Sequence, residues 1–200
     1  MAVRRLSDDE FQAIKAKRSG DALLVRTVAG DVIFRCPERD AFREMMRDLG
    51  GENKSEALER MIRGSVIDPD PETLDAWIER RPGIVDTCAD PLLTFAGLDN
   101  APPSKIENEG EDNEALRVDT AAGEIRLRCP TRSELRRCKD EQDDPKKRGD
   151  AIDKLVAGCV VDPAPAVFAT LLIKKPGLSG TLFKPLQRFA GAEEAAIVKK

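Results

Sequence analysis

The chain of 200 residues carries 33 Lys and Arg against 37 Asp and Glu, a formal net charge of −4, with both signs interspersed. That balance describes a solvated surface and not a nucleic-acid footprint, and aromatic side chains that would stack bases make up only 4% of the residues. Histidine is absent, which removes the usual general base and zinc ligand, and five cysteines without a Cys-x-x-Cys pair do not make a disulfide framework.

The first predicted element is a lead-in helix within residues 1–20. Ser7 followed by Glu10 makes a capping box, Leu6 and Phe11 fall at the two positions of a hydrophobic staple, and Phe11 with Ile14 gives a short apolar stripe that runs out at Gly20. The N-terminus lacks the apolar core of a signal peptide, and no stretch approaches the ~18 apolar residues of a membrane span. The expected location is the cytoplasm.

From Ala22 onward the chain repeats itself. ALLVRTVAGDVIFRCPERDAFR, Ala22 to Arg43, returns as ALRVDTAAGEIRLRCPTRSELR, Ala115 to Arg136, at an offset of about 93 residues. EALERMIRGSVIDPDPETLDAWIERRPG, from Glu56, returns as DAIDKLVAGCVVDPAPAVFATLLIKKPG, from Asp150, and both copies close on Phe-Ala-Gly, at Phe95 to Gly97 and Phe189 to Gly191. The reading is a tandem duplication with repeat 1 at 21–98 and repeat 2 at 115–191, each about 80 residues. Units this small often need a neighbour to be comfortably stable, and the expectation is that the halves pack on each other or on a partner.

Each copy opens with a predicted β-hairpin. Leu24 to Val28 and Val32 to Cys36 flank Ala29-Gly30-Asp31, while Leu116 to Ala121 and Ile125 to Cys129 flank Ala122-Gly123-Glu124, with a glycine free to take positive φ in the turn. Ile125, Leu127 and Cys129 alternate with Arg126 and Arg128, which buries one face. Pro37 and Pro130 are suited to the first turn of the helix that follows, and Thr131 with Glu134 adds a capping box in the second copy. Phe42, Met45, Met46 and Leu49 form a helical stripe in copy one. In copy two the stripe dissolves after Leu135 and Cys138 into Lys139 to Pro145, predicting a shorter or frayed helix.

The next helix carries Leu58, Met61, Ile62 and Val66, or Ile152, Leu155, Val156 and Val160, and exits at Asp68-Pro69 or Asp162-Pro163. A third carries Leu74, Trp77 and Ile78, or Phe168, Leu171 and Leu172, and ends in basic-Pro-Gly at Arg80 to Gly83 or Lys174 to Gly177. A last helical segment holds Leu92 and Phe95, or Leu186 and Phe189, with Pro91 and Pro185 marking a kink or a fresh start. The fold class is thus α+β and mainly helical, two tandem repeats that are each a β-hairpin followed by three to four helices. Residues 99–114 read as an acidic Pro/Gly linker and 192–200 as a C-terminal tail.

Neither standard phosphate-cradling loop is present, and no cofactor or metal is implied. Cys36 and Cys129 precede a proline in both copies, so a reactive thiol at a helix N-terminus stands against a small buried side chain at a strand end. Asp68 and Asp162 read more simply as helix exits than as a catalytic pair. Trp77, the one tryptophan, serves either the core or a partner-binding hot spot.

This order of motifs resembles the phage tail assembly chaperones. The resemblance rests on the small-Gly-acidic turns Ala29-Gly30-Asp31 and Ala122-Gly123-Glu124, on Pro37-Glu38-Arg39 and Pro130-Thr131-Arg132 leading into charged helices, and on the helices Ala57 to Pro69 and Ala151 to Pro163. It continues through Pro82-Gly83 to Gly97 and Pro176-Gly177 to Gly191. Two units in one chain depart from the family's pattern.

The resemblance implies a non-enzymatic cytoplasmic protein, in the host cytoplasm if phage-encoded, that coats the helical tape-measure protein until the tail tube polymerises. Members of that family are often made in two lengths by frameshifting, so the codons of Lys199-Lys200 read either as a slippery run or as an ordinary solvated basic terminus. The partner is then the tape-measure or another tail protein, with self-association beside it and with no nucleic acid and no membrane. The residues assigned to partner binding are Trp77, Ile78, Leu92, Phe95, Leu172, Leu186 and Phe189. A structural or accessory tail subunit and an unrecognised thiol-dependent enzyme are the two alternatives.

Overall fold

The computed structural model describes residues 3–17, 21–48, 54–99, 102–108, 114–144 and 147–191. Leu49, the Pro145-Lys146 pair, the tail 192–200 and its Lys199-Lys200 lie outside them. The fold is α+β, with nine helices among the described residues and two antiparallel sheets of three and four strands. The chain divides into two compact units, Met1–Ala96 with Ile173–Pro176, and Gly97–Leu172 with Gly177–Lys200.

In the first unit, α1 (Asp8–Ala16) has the predicted capping box, with Ser7 and Glu10 each satisfying the other's backbone amide. The hairpin β1 (Ala22–Arg26) and β2 (Asp31–Arg35) follows, then α2 (Arg39–Asp48), α3 (Lys54–Ser65), β3 (Val66–Asp68), α4 (Pro71–Arg80) and α5 (Ile84–Phe95). The sheet order is β1-β2-β3. Phe34, Ile33, Ile62, Leu74, Ile84 and Leu92 are its largest fully buried side chains. Burying each stabilises the unit by about 1.5–3 kcal/mol before entropy is counted.

The second unit holds β4 (Ser104–Asn108), β5 (Glu114–Thr120), β6 (Gly123–Arg128), α6 (Arg132–Gln142), α7 (Arg148–Cys159), β7 (Val160–Asp162), the helix α8 (Pro165–Lys174) up to Leu172, and α9 (Leu178–Phe189). Its sheet order is β4-β5-β6-β7. Val118, Ile125, Leu127, Phe168, Leu178 and Leu182 centre its core. Gly97 to Asp99, which sequence assigned to repeat 1 and the start of the linker, belong to this unit. Thr181 Oγ1 donates to Gly97 O at 2.7 Å and accepts from Asp99 N at 2.6 Å.

Several expectations are corrected. Val66 and Val160 are not the last turn of a helix. Val66-Ile67-Asp68 and Val160-Val161-Asp162 are short strands on β2 and β6, with Phe34 opposite Val66 and Leu127 opposite Val160. Their β-branched residues suit a pleated surface better than a helix. The peptides Asp68–Pro69 and Asp162–Pro163 are cis.

The stretch read as a linker contributes β4, which pairs antiparallel to β5 from Ser104 opposite Val118 to Asn108 opposite Glu114. Pro37 and Pro130 stand before the helices: α6 is capped by Thr131, so Pro130 precedes the cap, and α2 starts at Arg39. The helix α6 is not shortened, at 11 residues against 10 for α2, and runs through Lys139 to Gln142 although only Cys138 is buried on it. Pro91 and Pro185 lie inside continuous helices.

Both hairpin turns are closed by a threonine. Thr27 Oγ1 donates to Gly30 O at 2.7 Å and accepts from Ala29 N, and Thr120 Oγ1 donates to Gly123 O at 2.7 Å and accepts from Ala122 N. The two glycines serve different ends. Gly123 has φ +107°, the left-handed region that glycine enters freely. Gly30 lacks a positive φ and is confined by space, because a Cβ there would stand 2.4 Å from Cη2 of Trp77.

Candidate functional site

The hairpin tip of the first unit is clasped by the chain's N-terminal arm. Asp31 N donates to Arg4 O at 3.1 Å, and the Asp31 carboxylate accepts from Leu6 N at 2.9 Å and from Arg5 Nη1 at 2.6 Å. Its side chain is fully buried while that of Arg5 is half exposed. Burial alone would raise the Asp31 pKa, but the Leu6 amide and the Arg5 guanidinium outweigh it and hold the carboxyl below its ordinary value. Arg4 reaches Asp68 at 3.2 Å, and Arg81 donates to Val28 O on the same turn. Trp77 lies half-buried against Gly30, so its indole is part of this clasp.

The arginine that ends β2, and its counterpart that ends β6, each close the neighbouring helix. Arg35 donates through Nε and Nη2 to Gly64 O at 3.3 and 3.0 Å, and Arg128 through Nη2 to Gly158 O at 2.6 Å. Basic donors at the last carbonyls suit the negative helix end. In the second unit Arg128 also grips Glu134 with two bonds of 3.0 and 2.6 Å. The Arg128 bonds lead in holding Glu134 at a pKa of about 2, with help from Thr131.

The seven residues assigned to partner binding separate by exposure. Ile78, Leu92, Leu172 and Leu186 are core side chains, 0–6% exposed, and are corrected to that role. Trp77, Phe95 and Phe189 are half-buried. Phe95 carries the Lys175 ammonium 4.3 Å from its ring centroid, while its carbonyl accepts from Lys175 Nζ at 2.8 Å. Phe189 packs against the core of the second unit.

The exposed large apolar side chains are different ones, and besides Val3, Val28, Met46 and Ile106 they include three around α8 and β7. Val167 and Ile173 on α8 are 52% and 65% exposed, and Val161 on β7 is 56% exposed. The opposite face of α8 is held inside by Phe168 and Leu172. The signal was present in the internal comparison: the positions matching Val167 and Ile173 in the first copy are Thr73 and Glu79, so α8 exchanges an ordinary solvated face for an apolar one.

Burial pushes the Cys88 and Cys159 thiols up to about 11 and raises those of Cys36 and Cys138. Cys36 is half-buried and Cys129 exposed, each just past its strand, which corrects their placement on the buried strand face. Asp68 is held by Arg4, and Asp162 is exposed. Among the described residues no group of ligating side chains gathers into a metal site, and no helix is long and apolar enough to cross a membrane. No family model, curated protein or solved structure matches this chain.

Proposed function

We propose that the chain is a tandem duplication of one hairpin-and-helices module that acts without catalysis as a tail assembly chaperone of the phage type. In this reading it holds the helical tape-measure protein in the cytoplasm until the tube polymerises. The duplication is supported by the same threonine-closed turn at Thr27 and Thr120 and the same arginine-to-glycine closure at Arg35 and Arg128.

The observation that carries the binding role is the outward face of α8. Val167 and Ile173 stand exposed on a helix whose other face is already buried, with Lys174 at its end. An amphipathic tape-measure helix can cover that stripe in the manner of helix recognition by apolar anchors. Two modules on one chain raise the effective concentration of a second contact, so each contact can stay weak enough to release.

Co-expression with the tape-measure protein tests the proposal. The wild-type chain is expected to keep the tape-measure protein in the soluble fraction, and the Val167→Glu, Ile173→Glu double variant to lose it while remaining folded, since both sites are surface positions. Equal rescue by the two forms, or none by either, would count against the reading.

A further inference from the structure

The start of α9 carries a seat for the chain segment that leaves α5. Within the second unit Thr181 Oγ1 donates to Gly97 O and accepts from Asp99 N. Leu98 lies so close that a Cβ at Gly177 would stand 2.6 Å from its amide nitrogen, and one at Gly180 would stand 3.1 Å from its Cδ1. Gly177 and Thr181 are buried there. A glycine and a threonine four residues on thus receive a helix exit, Phe-Ala-Gly followed by Leu98 and Asp99.

The matching positions at the start of α5 are Gly83 and Thr87, and both are exposed. The two helix starts have the same shape: Gly83 has φ −62° and ψ −5°, Gly177 has φ −77° and ψ −9°, and neither makes a side-chain cap. Thr87 Oγ1 turns back to Gly83 O at 2.9 Å, and no described atom lies within 4 Å of a Cβ built at Gly83. The helix exit recurs as well, with Gly97 at φ +90° after α5 and Gly191 at φ +81° after α9. The chain therefore presents a second seat, exposed, and a second exit of the kind that fills the first.

We propose that the segment from Gly191 of one copy docks on the start of α5 of a second copy, repeating the contact that Gly97 to Asp99 make on α9. The inference uses the match between the two repeats and does not depend on the chaperone role. Two features choose this occupant. Gly180, which leaves room for Leu98, is replaced by Asp86 in the exposed seat, and the residue matching Leu98 in the incoming segment is Ala192, so the larger seat residue meets the smaller side chain. The incoming segment continues as Glu193-Glu194, while the exposed Arg80 and Arg81 stand just before the seat. The contact joins one surface to a different one, so it links copies head to tail.

Light scattering coupled to size exclusion tests it on the full chain. No tape-measure protein is present, so a failure here leaves the chaperone reading standing. The wild type is expected to show a mass above that of the monomer, rising across the micromolar range. Gly83→Leu, at a φ any residue adopts and with open space at its Cβ, is expected to fold and to run as a monomer. Thr87→Ala, an exposed change that removes two of the docking hydrogen bonds, is expected to weaken association about tenfold, and it decides the matter if the leucine variant does not fold. The Gly83→Leu chain keeps its own Gly191 segment, so adding it to the wild type is expected to shorten the assemblies. A wild type that stays monomeric overturns the proposal. Association untouched by Thr87→Ala or by a folded Gly83→Leu, or assemblies that the added variant leaves unchanged, overturns it too.

Discussion

Replacing Asp31 by alanine should destabilise the first unit far more than the matching change, Glu124→Ala, destabilises the second. The Asp31 carboxylate is fully buried and holds two donors, Leu6 N at 2.9 Å and Arg5 Nη1 at 2.6 Å. After substitution the half-exposed Arg5 regains water, but Leu6 N is left in a buried place without a partner. A buried donor so stranded costs about 1–3 kcal/mol. Losing the half-exposed ion pair adds about 0.5 kcal/mol.

The expected loss is thus about 1.5–3.5 kcal/mol, which lowers the melting temperature of a unit near 100 residues by roughly 6–28 °C at about 4–8 °C per kcal/mol. Glu124 instead pairs at 2.7 Å with Arg117, both more than a third exposed. Solvent screening limits its loss to about 0.5 kcal/mol. Thermal denaturation by circular dichroism, with an N-terminal amide probe to confirm release of the arm, measures both. Equal effects of the two substitutions, or a neutral Asp31→Ala, would refute the clasp.

The sign of the pH dependence follows from the same group. The Asp31 carboxyl is held below its ordinary value when folded, so its contribution is present above the ordinary carboxylate range and is lost as pH falls toward the folded value. The gap between wild type and Asp31→Ala should accordingly close in acid, and a gap that widens there would contradict the assignment. Gly30→Ala should cost about 1–3 kcal/mol through overpacking against Trp77, and much less in a Trp77→Ala background, as a double-mutant melting cycle would show. Gly64→Ala has open space at its Cβ inside α3 and should stabilise by about 0.5–1 kcal/mol in urea unfolding. Arg128→Ala should raise the Glu134 pKa from about 2 toward the ordinary carboxylate range in a carboxyl NMR titration.

What was legible in the sequence was local chemistry with its own signature. The capping boxes at Ser7 and Thr131 and both hairpins were readable because particular residue types at fixed spacing make them. The strands β3 and β7 were not, since three residues are too few to show an alternation and Val66 and Val160 also fit the next helical position. Nor was β4: Ser104 to Asn108 holds a single apolar residue, Ile106, and an edge strand paired through its backbone needs no apolar pattern.

The partner-binding assignment failed in four of its seven residues for a related reason. Helical spacing identifies the apolar face of α4, α5, α8 and α9, but the face that is apolar in both copies is the one the unit itself buries. The exposed Val167 and Ile173 match the polar Thr73 and Glu79, whereas the exposed Val161 matches the apolar Ile67. Thr27 and Thr120, present in both copies, carried the turn signal that the glycines alone did not.

Hydrogen–deuterium exchange of the full chain, with and without a purified tape-measure segment, tests the central claim most directly. The account predicts that the segment slows exchange along Pro165–Lys174, the helix that presents Val167 and Ile173, and leaves the matching helix Pro71–Arg80 largely unchanged. Unchanged exchange along α8 under saturating segment, or equal protection of α4, would contradict it.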